Sequence, residues 1–249
     1  MLDTRPASTV DGRFVGGGAV GPGSIVSVPV TGRGGVPVSG VGAVVLNLTA
    51  TGPTAAGFLT VFPTWEGQPG TSTLNFGSGQ TVANLVVGKV GAGGSVSIAN
   101  DAGFTHVIVD VAGWFPSGDD YHGLSPARLL DTRPGAPTVD GLAAGGGAVG
   151  AGAVRTLMVG GRGGVPALGA GAVVLNLTVT GPTTGGYLTV FPAGEATPLA
   201  SSLNFGPGQT VANLVIAKLG ADGGVSIRNA AGSTHVIADV AGWLPAGPA

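Results

Sequence analysis

The chain is one sequence written twice, and this duplication limits its fold more than any other feature. LDTRP at Leu2–Pro6 returns at Leu130–Pro134, and VVLNLT at Val44–Thr49 returns at Val173–Thr178. LNFGSGQTVANLV at Leu74–Val86 returns as LNFGPGQTVANLV at Leu203–Val215, and THVIVDVAGW at Thr105–Trp114 as THVIADVAGW at Thr234–Trp243. From Asp11 onward the copies align without a gap at an offset of 129 residues (Asp11 to Asp140, Trp114 to Trp243), with one residue inserted earlier. Over the later part of each copy about two residues in three are identical, far above chance. The period is too long for a solenoid or a propeller blade, which repeat every roughly 20–50 residues. Each copy must therefore close its own core. A domain of about 120 residues can do so, because about two thirds of its unfolded surface is lost on folding. The expected division is residues 1–116 for the first repeat, 117–123 for a linker and 124–249 for the second. The linker, SGDDYHG at Ser117–Gly123, is the most polar stretch of the chain and has no counterpart inside either repeat.

Helix signals are nearly absent, since Gly or Pro interrupts almost every window of helical length. Strand signals dominate. In the first copy, runs rich in β-branched and aromatic residues predict strands at 25–30, 43–50, 58–63, 72–76, 81–90, 95–99 and 105–115, with a short one at LDTR. The second copy repeats them. Seven or eight strands per copy predict an all-β chain of two tandem antiparallel β-sandwiches, of jelly-roll or immunoglobulin-like type. Along Ala43–Thr49, Val44, Leu46 and Leu48 share the face expected to meet the core. Thr105–Trp114 is apolar on both faces, which predicts a central strand covered on each side. Asp110 and Asp239 inside these runs then require hydrogen-bond donors, from loop amides or an arginine. Trp114 and Trp243 are expected to cap the core.

Composition narrows the function. Gly 50 and Pro 18 would suit a disordered chain, but hydrophobic residues reach 43% and valine is abundant, which disorder does not show. Only 9% of residues are charged and the net charge is −2, so there is no basic footprint for nucleic acid. The charge-free run Val41–Trp65 is broken by Asn47, Gly52, Pro53 and Gly57, so no membrane insertion is expected. The absence of cysteine removes disulfides and thiolate metal sites. No metal or other cofactor is expected, as neither an EF-hand nor a nonapeptide aspartate repeat occurs. GRGGVP at Gly32–Pro37 and Gly161–Pro166 lacks the Lys-Ser/Thr of a phosphate loop and reads as a turn.

The candidate polar sites read mainly as structural. Asp3 and Arg5, like Asp131 and Arg133, stand two apart on extended backbone and suit an ion pair that closes the sandwich. His106 and Asp110, like His235 and Asp239, lie four apart on a strand. That separates them by roughly 13 Å, so they form no pair by themselves, and the histidine is expected to bond a turn carbonyl. A catalytic triad would need Ser72 or Ser97 brought in from elsewhere, and no nucleophile elbow is present. No catalytic residue is assigned. Asparagines recur at Asn47/Asn176, Asn75/Asn204 and Asn84/Asn213; they suit bridges between backbone groups. Their functional alternative is a polar groove, with Trp65, Tyr121, Tyr187, Asn47 and Asn176 as ligand-binding candidates. Trp65 has Gly194 as its counterpart, which argues against two equivalent stacking sites.

The combination LDTR, GRGGVP, AVVLNLT, LTVFP, LNFxxGQTVANLV and THVIxDVAGW resembles a repeat module of secreted actinobacterial and related bacterial proteins, often attached to extracellular hydrolases. The resemblance covers nearly the whole chain. It implies an extracellular or cell-surface location and an accessory role, and it supplies no catalytic residues. The second copy carries Pro126–Leu129 ahead of its LDTRP while Met1 directly precedes the first, so the chain is expected to be part of a longer polypeptide. The leading expectation is a non-catalytic module that attaches or displays a partner domain on cell wall or insoluble polysaccharide. A carbohydrate-binding module with a polar and aromatic groove is one alternative, and a self-associating surface protein is another, because weak charge removes a guard against edge-to-edge strand pairing.

Overall fold

The computed structural model describes residues 1–118 and 120–247. The chain is all-β and separates into two compact units, Met1–Ser125 and Pro126–Ala249. In the first unit the strands are β1 (Leu2–Asp3), β2 (Ile25–Pro29), β3 (Val41–Thr51), β4 (Gly57–Pro63), β5 (Leu74–Phe76), β6 (Thr81–Lys89), β7 (Ser95–Asn100) and β8 (His106–Pro116). They form two antiparallel sheets in the orders β1-β8-β3-β6 and β2-β7-β4-β5. Strand β9 (His122–Asp131) begins before the boundary and enters the second unit at Pro126, followed by β10 (Val154–Met158), β11 (Ala170–Thr180), β12 (Gly186–Pro192), β13 (Leu203–Phe205), β14 (Val211–Lys218), β15 (Gly224–Asn229) and β16 (His235–Pro245). The sheets of this unit repeat the plan, as β9-β16-β11-β14 and β10-β15-β12-β13.

Period-two patterning puts the core between the two sheets. Leu46 and Leu48 of β3 and Val107 and Val109 of β8 meet Val28, Leu59 and Ile98 from the facing sheet, all buried. Leu175, Leu177, Leu188 and Ile227 hold the equivalent buried positions in the second unit. Each such side chain contributes about 1.5–3 kcal/mol by leaving water. The VAGW motif has a local role as well. Val45 pairs with Gly113 and Leu46 with Val111, so Ala112 is an extra residue in β8; Ala241 is the same extra residue in β16, between Val174/Gly242 and Leu175/Val240. Such a bulge bends the strand and shifts which side chains face inward.

Three expectations need correction. β8 does sit between β1 and β3, but only one of its faces is covered: Val107 and Val109 are buried while Asp110 and Ala112 are exposed. Apolar residues on both faces did not require a second covering layer. β16 differs, with Val236–Val240 buried throughout. Second, Trp114 lies opposite Val44, so the bulge brings it to the core face, yet it stays 39% exposed and covers the end of the core only in part. Third, the expected linker is partly structural. Tyr121 is buried with its ring 4.7 Å from that of Phe115, and His122 opens β9, so the unit boundary falls at 125/126. Asp119 of that segment, and residues 248 and 249 of the second expected domain, lie outside the described residues.

Candidate functional site

The recurring charged residues gather where the chain enters each sandwich. Asp3 lies on β1 and Arg5 just beyond it, and the extended backbone between them lets the guanidinium fold back. Arg5 donates from Nε to Asp3 Oδ1 at 3.0 Å and from Nη2 to Oδ2 at 2.7 Å, while its backbone N–H also reaches Oδ1. Arg133 holds Asp131 in the same way, at 3.0 and 2.6 Å. These two pairs are spent on each other rather than turned toward a cleft.

A second arginine in each unit is the larger polar anchor, and sequence reasoning missed it. Arg33, inside GRGGVP, is almost fully buried. It clamps Asp11 through Nε at 2.6 Å and Nη2 at 2.8 Å, and donates to the carbonyls of Pro29 and Met1. Its guanidinium also sits 4.6 Å from the centre of the Phe14 ring. Arg162 repeats this with Asp140 and the carbonyls of Met158, Leu129 and Leu142. The motif is a turn as expected, with Val36 N–H on the Arg33 carbonyl and Gly34 and Gly35 at positive φ. The turn exists to aim the arginine inward. The signal was available: in a chain this poor in charge, an arginine recurs 22 residues after an aspartate in both copies.

The histidines bond a hydroxyl, not a turn carbonyl. Thr4 Oγ1 lies 3.0 Å from His106 Nδ1 and accepts the Val107 N–H at 2.9 Å. Thr132, His235 and Val236 repeat the arrangement at 3.1 and 2.9 Å. The threonine of LDTR thereby locks β1 to β8 and β9 to β16. The serines considered for His106 are not in its sheet: Ser97 lies on β7 in the facing sheet and shares a hydrogen bond with Thr64, and Ser72, ahead of β5, accepts from Asn75.

The aspartates four residues on part company between the units. Asp239 is buried, and Arg128 of β9 donates to it from Nε at 2.9 Å and Nη2 at 3.4 Å, while Arg128 Nη1 reaches Asp131 at 3.2 Å. This meets the expectation that a carboxylate within the strand takes an arginine. Asp110 faces solvent. It borders a cleft of about 540 Å³ with Asp3, Arg5, Val10 and Val111.

The ligand-binding candidates do not converge. Trp65 is 86% exposed in the turn after β4, while Asn47 lies on β3 in the facing sheet, where it pairs with Asp110. Tyr187 is 40% exposed on β12, whereas Asn176 is buried on β11 of the facing sheet. Tyr121 is buried, which raises its phenol well above the ordinary value and withdraws its ring from any ligand. Of the other recurring asparagines, Asn75 and Asn204 donate to the hydroxyls of Ser72 and Ser201 rather than to backbone, and only Asn84 and Asn213 bond backbone groups. Asn84 donates to the Thr73 carbonyl and Asn213 to that of Ser202, each tying one sheet to the segment that leads into the other. Asn100 and Asn229, which sequence reasoning did not single out, are fully buried. Asn100 donates to Val20, Gly21 and Gly103, and Asn229 to Val149 and Gly232. Among the described residues no three His, Asp or Glu side chains cluster as a metal site would require, and no helix is long and apolar enough to cross a membrane.

These ion pairs make each unit acid-sensitive. The Arg162 guanidinium holds the Asp140 carboxyl down at about 2, from an ordinary 3.8, and Arg33 holds Asp11 lower still. Arg5 lowers Asp3; burial pushes Asp131 upward, but Arg133 more than offsets it. A carboxyl depressed on folding adds stability above its unfolded value and loses it as pH falls through the folded one. Stability is therefore full above about pH 5 and falls progressively from there toward pH 2. Urea titrations at pH 7, 4 and 2.5 will show the midpoint falling slightly by pH 4 and most in the last interval. Asp140→Asn will lower the pH 7 midpoint of the second unit and flatten its acid limb.

The chain matches no protein-family model, no curated protein and no solved structure.

Proposed function

We propose that this chain is a non-catalytic accessory module, extracellular or at a cell surface, whose two sandwiches attach or display a partner domain. One observation carries the reading. Most of the side chains with chemical potential that recur in both copies help to close each sandwich: Asp3/Arg5, Asp11/Arg33, Thr4/His106 and their counterparts. What remains at the surface is weakly charged and rich in Gly, Thr and Ser, which suits contact with a neutral polymer or a wall. Sedimentation of the full chain with purified cell walls, cellulose or chitin tests this. Retention on at least one surface is expected. No retention on any of them, together with unchanged surface localisation of a fused reporter when the module is deleted, would overturn it.

A carbohydrate-binding reading keeps one specific support, Trp65. Its backbone is left-handed at φ 71, where the second copy has Gly194 at φ 82. A bulky residue in this region costs about 1–2 kcal/mol, and such strain collects at binding sites. Trp65→Gly relieves the strain and raises the melting temperature. If sugar stacking holds the chain on polysaccharide, the same variant abolishes retention; undiminished retention removes Trp65 from the contact.

A further inference from the structure

The two sandwiches leave the same sheet edge open but finish it differently. In the first unit β2 pairs only with β7, and in the second β10 pairs only with β15. The opening does not come from the ends of the sequence. β2 stays unpaired on its outer side although the chain continues past β8, and β10 does so although a whole unit precedes it. Along β10, Asn229 N–H bonds the Ala153 carbonyl and Val159 N–H that of Gly223, so Arg155 and Leu157 turn their backbone groups to β15. Val154, Thr156 and Met158 turn theirs outward. Among the described residues only one of these outward groups has a partner, the Met158 carbonyl, which accepts from Arg162 at 2.8 Å and keeps a second lone pair. The first unit has Pro29 at the position of Met158, and proline offers no N–H there. β2 is thus blunted by one residue and β10 is not.

We propose that β10 is the contact through which two copies of this chain join, their β10 strands pairing antiparallel about Thr156 so that two sheets become one. The residues favour a second copy over an unrelated strand because Val154–Met158 complements itself in this register. Thr156 meets Thr156 of the second copy, Val154 meets its Met158, and each outward pair exchanges two backbone bonds. Val154 and Met158 are 49% and 43% exposed in the single chain, and the pairing covers both. Threonine opposite threonine adds a favourable cross-strand contact. Arg155, which stands where the first unit has Val26, fixes the register. In the pairing centred on Thr156 it lies opposite Leu157. A slip that sets Val154 against Thr156 would put the two Arg155 side chains directly opposite each other, where like charges repel. β10 carries no acidic residue to offset that repulsion. Arg155 does not block the edge itself, because its guanidinium lies over Gly146.

Sedimentation equilibrium of the full chain over a wide range of concentration is expected to show a monomer–dimer equilibrium. Met158→Pro, which gives the second unit the first unit's own residue, removes a donor from each paired strand and lowers the association constant by about tenfold or more. It leaves the melting temperature of the monomer unchanged, because the lost N–H bonds nothing within the chain. The chain has no cysteine, so single cysteines report the register. Thr156→Cys is expected to give a disulfide-linked dimer on mild oxidation, since the α-carbons of such a pair stand about 5.5 Å apart. Val154→Cys is not, since in this register the two introduced thiols are separated by roughly 13 Å along the strands. A chain that stays monomeric at every concentration, a dimer indifferent to Met158→Pro, or equal cross-linking of both cysteine variants would each overturn the proposal. None of these outcomes bears on wall retention.

Discussion

Arg162→Ala is expected to cost the second unit about 3–4 kcal/mol. Against the roughly 5–15 kcal/mol that holds a domain folded, this is a large share. The guanidinium is 8% exposed and serves a carboxylate and three carbonyls at once. Removing it strands the buried Leu129 carbonyl away from water and takes a partner from that of Met158, while the Leu142 carbonyl keeps Thr138; each unpaired buried acceptor costs about 1–3 kcal/mol. Asp140 contributes less because its carboxylate is about a third exposed and can rehydrate. Arg162→Lys will recover only part of the loss, since an ammonium lacks the planar fork that reaches Asp140 and the carbonyls together. Urea denaturation followed at Trp243 reports this unit, because the other tryptophans, Trp65 and Trp114, belong to the first. A midpoint unchanged by Arg162→Ala would show that the turn closes without its anchor.

Gly220→Ala is expected to destabilise the same unit by about 3 kcal/mol. The reason is space rather than backbone angle. A methyl on Gly220 would fall inside the carbonyl of Ala193, and one on Gly91 would meet the backbone of Thr64. In both units this is where the turn before β7 or β15 presses on the end of β4 or β12. Gly220 N–H bonds the Gly224 carbonyl, and Gly91 N–H that of Ser95, so the glycine cannot back away without breaking the turn. A backbone obstacle does not yield as a flexible side chain would. Gly152→Ala separates the two causes. Gly152 has φ +73 but open space around it, so only the left-handed penalty of about 1 kcal/mol applies. Equal costs at Gly152 and Gly220 would refute the steric account.

Much of this fold was legible because strand formation here is a local matter. The run Thr81–Val90 reads as a strand and forms one at Thr81–Lys89, and Leu74–Phe76 lies inside the expected 72–76. The duplication fixed the number of units. The misreadings share a cause, which is dependence on distant partners. Nothing within Thr105–Trp114 tells whether a layer covers its outward face. The Thr4–His106 bond joins residues 102 apart, and Asn100 reaches a carbonyl 80 residues away. Arg33 was hidden by its glycines, which rightly signal a turn and distract from the side chain the turn carries. Tyr121 sits in the most polar stretch of the sequence, yet its ring found Phe115.

The order of strands has a consequence for biosynthesis. The last strand of each unit lies inside its sheet, between the first strand and β3 or β11. A nascent chain emerging from the ribosome thus holds this layer with a gap in its middle until residues near 116 have been made, although β7 has already completed the facing layer by Asn100. Every earlier pairing leaves apolar surface uncovered, and the closing contacts span almost the full length of the unit, which slows their formation. Premature termination inside β8 or β16 removes the keystone rather than a trim, so shortened products should be chaperone clients or protease substrates and not partly working modules.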